Sequence, residues 1–239
     1  MPAVVTPVAY AVTVAIAAVL CVALCAGARR SGGSWTRWAQ WLLGLVLLAD
    51  AVSFAVSASH PFAVRTSLPL PLCDVAALVA AAACFWPAPL LLELTWFWGM
   101  AGTLQAVATP DLDEGFPHLV FFQYTVGHLA IVVVALYLVV GLGRRPRRRS
   151  APRVLAITAA YTAFVGLVDW WTGADYMFLR SPPAGWTLLR VLGPWPWYVF
   201  SAAGVAVVLV TLLDAPFWPA RRRAAAATSP PAGRTRAAA

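Results

Sequence analysis

Among the polar residues of the apolar stretches, Cys73 and His128 are the pair whose types suggest covalent chemistry. A thiol becomes a nucleophile when a neighbouring base or cation raises its thiolate fraction, and histidine is the usual partner. A carboxylate or amide that holds the second ring nitrogen completes such an arrangement. Asp50, Asp74, Gln105 and Asp169 are the candidates for that place, and Gln123 or Tyr176 for stabilising an oxyanion. The plainer alternatives are a buried small hydrophobe for Cys73 and an interhelical hydrogen bond for His128.

These residues stand out because of the chain around them. Its 239 residues are 62% hydrophobic and 11% charged, with a mean hydropathy of +0.78. A soluble domain is about 45–50% apolar and about 25% charged. Too little polar side chain remains to cover a water-facing surface. That excludes a soluble enzyme, a disordered protein and a nucleic-acid-binding domain. The net charge of +8 comes from 17 basic residues, all arginine, set mostly in short runs between apolar stretches. The expected fold class is an all-α polytopic membrane protein.

A helix needs about 20 apolar residues to span the hydrocarbon, where every backbone group must be satisfied internally. Seven stretches qualify: 6–26, 38–57, 68–86, 90–109, 119–141, 154–172 and 195–216. Positive residues favour the cytoplasmic side. With the amino terminus outside and the carboxyl terminus cytoplasmic, 14 of the 17 arginines fall inside. Arg65, Arg180 and Arg190 stay outside, with the acidic loop Asp111, Asp113 and Glu114. This predicts seven transmembrane helices in residues 1–217 and a disordered, Arg/Ala-rich cytoplasmic tail over 218–239. The location implied is the cell membrane, multi-pass. Arg144–Arg149 reads first as a topology determinant and second as a grip on anionic lipid heads.

Ionisable groups are costly inside a bilayer and are functional candidates by default. Glu93 is expected as a solvated carboxylate near an inner helix start, and Asp214 as a partner of the arginines beyond it. The others, Asp50, Cys73, Asp74, Gln105, Gln123, His128 and Asp169, fall by helix register into one layer in the outer half of the membrane. That convergence predicts a polar cavity opening outward. The aromatic loop from Asp175 to Tyr198 is either an interfacial belt or a lid over the cavity mouth. Cys21 and Cys25 have no histidine or carboxylate nearby, so no metal and no cofactor is expected. The four cysteines do not form a disulfide framework.

Several strings resemble the YwaF-like family of bacterial integral membrane proteins. They include Leu68-Pro69-Leu70-Pro71-Leu72-Cys73-Asp74, Phe97-Trp98-Gly99 with Gly102-Thr103-Leu104-Gln105, and Thr109-Pro110-Asp111-Leu112. Gly115-Phe116-Pro117-His118, Phe121-Phe122-Gln123, Gly127-His128, Gly173-Ala174-Asp175-Tyr176-Met177-Phe178-Leu179 and Gly193-Pro194-Trp195-Pro196-Trp197-Tyr198 complete the set, over roughly residues 40–217. More distantly, the chain is similar to a eukaryotic transmembrane family described as a cysteine-dependent acyltransferase that remodels ether phospholipids. That resemblance implies Cys73 and His128 as the functional pair. Leu72 and Asp74 flank the cysteine where the eukaryotic branch carries other types.

The leading expectation is Cys/His-dependent acyl transfer on membrane lipids. The alternative is non-enzymatic binding or transport of a lipid or small molecule in the same cavity. In that case His118 with Asp111, Asp113 and Glu114 would form a gate. Membrane lipids are the expected partners, and the oligomeric state is open.

Overall fold

The computed structural model describes residues 7–31, 33–112, 114–183, 185 and 187–221, apart from the side chain of Ser31. Asp113 and the tail from 222 onward lie outside the described residues. All regular structure among the described residues is helical. The helices are α1 (Pro7–Ser31), α2 (Ser34–Ala58), α3 (Leu72–Phe85), α4 (Pro89–Phe97), α5 (Leu104–Ala108), α6 (Leu119–Leu136), α7 (Ser150–Thr172), α8 (Leu188–Val191) and α9 (Trp197–Asp214).

Five helices are long and apolar enough to cross a membrane: Pro7–Arg30, Ser34–Ala58, Leu119–Gly141, Ser150–Thr172 and Trp197–Arg221. The two other expected spans are helical but different in kind. The third begins at Leu72 rather than at 68, because the chain turns tightly about Pro69, the Leu70 N–H bonding the Leu68 carbonyl at 2.8 Å, and Pro71 forms the cap with a non-helical ψ of 140°. The fourth is continuous in helical sense from α4 to α5, but π-helical over Trp98–Thr103. Glu93 and Gln105 lower its apolarity.

Local sequence sets these boundaries. Trp86 precedes Pro87 and turns extended, ending α3, and Pro89 opens α4 at a position that needs no N–H partner. Gly173 ends α7 in a left-handed conformation, its N–H bonded to the Asp169 carbonyl at 2.9 Å. Trp218–Arg221, expected in the tail, continues helical after α9. Arg221 holds Asp214 through both terminal nitrogens at 2.8 Å, and Trp218 Nε1 donates to the same carboxylate.

α6 is the central helix. Two-thirds (67%) of its most apolar stretch is buried, against 11–17% for the other four spans. α1, α2, α3 and α4 pack around it, while α7 and α9 pair on the side of the π-helical segment. Small residues permit the close approach. α3 buries Ala76, Ala77, Ala80, Ala81 and Ala83, and a Cβ at Gly44 of α2 would stand 2.8 Å from the Phe85 ring. The outer faces of α1 and α2 carry exposed Val8, Val12, Ile16, Val19, Leu42 and Leu45, as lipid contact requires.

Candidate functional site

Cys73 and Asp74 occupy the first turn of α3. The segment before them is held by two tyrosines. Tyr161 of α7 donates to the Leu70 carbonyl at 2.8 Å, and Tyr176 accepts from the Leu68 N–H at 3.0 Å. Tyr176 also donates to the Val64 carbonyl at 2.7 Å. The cysteine is thus fixed by a clamp from the distant half of the chain.

The thiol lies beside the Thr103 hydroxyl. Thr103 is buried at the end of the π-helical segment, and its oxygen has no hydrogen bond of full geometry. Segments of π-helix re-aim side chains and occur often at functional sites.

His128 projects from α6. Its Nδ1 lies 2.8 Å from the Tyr124 carbonyl one turn back. A carbonyl only accepts, so Nδ1 carries the hydrogen, and in the neutral ring Nε2 keeps its lone pair. Tyr124 also stacks on the imidazole, with ring centroids 4.1 Å apart and planes 25° from parallel. Its hydroxyl donates to the Ala106 carbonyl at 2.9 Å. Tyr124 is in turn within electrostatic reach of Cys73. Cys73 and His128 share no hydrogen bond, and Tyr124 links their surroundings.

Asp50 joins the same group. Its carboxylate packs on Gly127, where any side chain would overlap it, and Asp74 feels its charge. One oxygen of Asp74 is buried without a partner. Gln123, about one turn nearer the start of α6, donates to Ser53 at 2.8 Å and Ser57 at 3.0 Å, tying α6 to α2. Among the described residues, the Gln105 side chain makes no hydrogen bond.

Asp169 and Tyr176 form a second group. Asp169 accepts the Tyr176 N–H at 2.9 Å, and its other oxygen is unpartnered. They sit in a small separate core with Val165 and Ala174. The expected polar layer is therefore divided. Asp50, Cys73, Asp74 and His128 gather about α2, α3 and α6, while Asp169 and Tyr176 organise the aromatic loop.

Glu93 corrects an expectation. It is fully buried instead of solvated, clamped by Arg147 at 2.8 Å and Arg153 at 2.7 Å. The carboxylate holds the Arg147 guanidinium above its ordinary range. An apparently exposed acid near a helix start is here the buried post on which the basic loop is fastened.

Thr103, Tyr124, Gly127 and Tyr161 were not singled out by the sequence. Tyr124 and Gly127 were findable, lying one turn before His128 and immediately next to it. Thr103 was not, because its orientation depends on the π-helical register. Among the described residues, no three His, Cys, Asp or Glu side chains gather as a metal site requires.

Buried polar groups inside a bundle of long apolar helices define an integral membrane protein with an internal polar site. The sequence pattern of the TMEM164 family matches residues 4–214, and the chain belongs to that family. No curated protein and no solved structure matches it.

Proposed function

We propose that this protein transfers acyl chains between membrane lipids, with Cys73 as nucleophile and His128 as base. The observation that carries the reading is the tautomer of His128. Its Nδ1 is committed to the Tyr124 carbonyl, leaving Nε2 to take a proton. The Cys73 proton passes to His128 as the sulfur attacks a lipid ester carbonyl. The ester C–O bond breaks, the departing alkoxide takes the proton, and a thioester remains. An acceptor hydroxyl then gives its proton to His128 and attacks the thioester. The C–S bond breaks and the sulfur recovers the proton. The N–H groups of Leu72 and Cys73, which precede those of Asp74 and Val75 bonded to the Pro71 carbonyl, supply the oxyanion donors.

Further support comes from the resemblance to the cysteine-dependent acyltransferase branch, and from Thr103 and Tyr124 beside the thiol. In this reading the YwaF-like bacterial proteins are close kin and the location is the cell membrane. All seven apolar stretches span it, amino terminus outside, with the α3 and α4–α5 stretches buried against α6. The reacting groups lie toward the outer leaflet.

The test is lipid profiling of cells with and without the protein, and with Cys73→Ala. Acyl distributions should differ between the first two and revert in the variant. Identical profiles in all three would leave the alternative, a lipid-binding or carrier protein using the same cavity.

A further inference from the structure

A second site lies at the arginine-rich end of the bundle, at the far end of α3 from Cys73. The two are separated by about 18 Å at the helical rise. An open cleft of about 520 Å³ lies between the start of α2, the end of α3 and the segment after α6. Arg37, Gln40, Trp41, Phe85, Leu142 and Arg144 form its walls. An adjoining cleft shares Arg37 and Trp41.

Several of the arginines at this end already have partners. Arg147 and Arg153 are taken by Glu93, Arg221 by Asp214, and Arg29 by the Val140 carbonyl. The cleft has two arginines and no carboxylate in its walls. Arg144 is held there by Gln40, whose Oε1 accepts from Nη2 at 3.0 Å, while Nη1 is buried with no acceptor. Gln40 is positioned in turn by donating to the Cys84 carbonyl. Arg37 is exposed and makes no ion pair. Two guanidiniums bordering one cleft whose walls hold no carboxylate, Arg37 exposed and Arg144 fixed by Gln40, form a receptor for a phosphate oxyanion.

The apolar walls indicate where that phosphate comes from. Trp41, Phe85 and Leu142 would be poor neighbours for a hydrated free ion, and exposed Trp38, Leu42 and Leu45 continue down α2 as a track for a hydrocarbon chain. Tryptophan also favours headgroup depth. We propose that this cleft binds the phosphate headgroup of an anionic phospholipid, with one acyl chain along α2.

The test is native mass spectrometry of the full chain in detergent, with phosphatidylglycerol or phosphatidylcholine at equal concentration and inorganic phosphate as a separate arm. Phosphatidylglycerol should be retained preferentially. Its retention should fall about fivefold for each of Arg37→Gln and Arg144→Gln. Arg37 is exposed, so its variant tests the site without disturbing the fold. Arg145→Gln, outside the cleft, should change nothing. Cys73→Ala should also keep the preference, which separates this site from the proposed acyl transfer. Equal retention of the two lipids, indifference to both cleft variants, or binding of inorganic phosphate with no lipid preference would overturn the proposal.

Discussion

Tyr124 lies face to face with His128, their ring centroids 4.1 Å apart, while its backbone carbonyl accepts from the histidine's Nδ1. One residue thus fixes both the plane and the tautomer of the imidazole. The carbonyl survives any substitution, but the stack does not. Tyr124→Ala should lower acyl transfer about two- to tenfold, from the roughly 0.5–1.5 kcal/mol that such ring pairs contribute. Tyr124→Phe should retain more activity than Tyr124→Ala, because it keeps the stack and loses the hydroxyl's bonds to the Ala106 carbonyl and the Asp111 N–H. Equal losses in both variants would show that the hydroxyl matters and the stack does not.

Gly127 admits the Asp50 carboxylate against the backbone of α6. Gly127→Ala should therefore destabilise the bundle by about 1–3 kcal/mol, as overpacking does. Asp50→Ala in the same chain should restore much of that loss by vacating the space. Thermal unfolding of the four-member cycle in detergent reads the coupling. Simple additivity would contradict the contact.

The Glu93 clamp is asymmetric, since the carboxylate is fully buried while Arg147 and Arg153 are 48% and 38% exposed. Removing the acid leaves two cations that water can reach. Removing both arginine side chains leaves a buried charge held by the backbone N–H of residue 147 alone, at a cost of about 3–5 kcal/mol. The double Arg147→Ala/Arg153→Ala variant should unfold at a lower temperature than Glu93→Gln. The reverse order would mean that the carboxylate is hydrated.

Tyr176 bridges the Val64 carbonyl and the Leu68 N–H, bringing the aromatic loop onto the segment that leads into Cys73. Tyr176→Phe removes both bonds, worth about 0.5–1.5 kcal/mol each. Amide hydrogen exchange over 64–71 should quicken while the end of α6 and the start of α7 stay protected. Unchanged exchange over 64–71 would show that this segment holds itself.

Much of the architecture was legible because bilayer physics is strict. Arginine placement and apolar length marked the helices, and five of them are long and apolar enough to span. The shortening of α3 and the π-helical break after Phe97 were not legible, since both arise from packing against α6 and from prolines whose effect depends on context. The site was partly legible. Cost of burial singled out Asp50, Cys73, Asp74 and His128, and these gather about three neighbouring helices. The same argument also drew in Asp169, whose carboxylate accepts the N–H of Tyr176 at the start of the aromatic loop. Depth along a helix can be read from a sequence, but the direction a side chain faces around the axis cannot.

The central claim is that the Cys73 sulfur carries an acyl group during turnover. The direct measurement is to supply the purified protein with a phospholipid bearing an alkyne-tagged acyl chain and locate the tag by peptide mass spectrometry. A hydroxylamine-sensitive tag on Cys73, absent from Cys21 and Cys84 and strongly reduced by His128→Ala, is the result this account predicts. A Cys73 without the tag, or one tagged no more than the other cysteines, would contradict it.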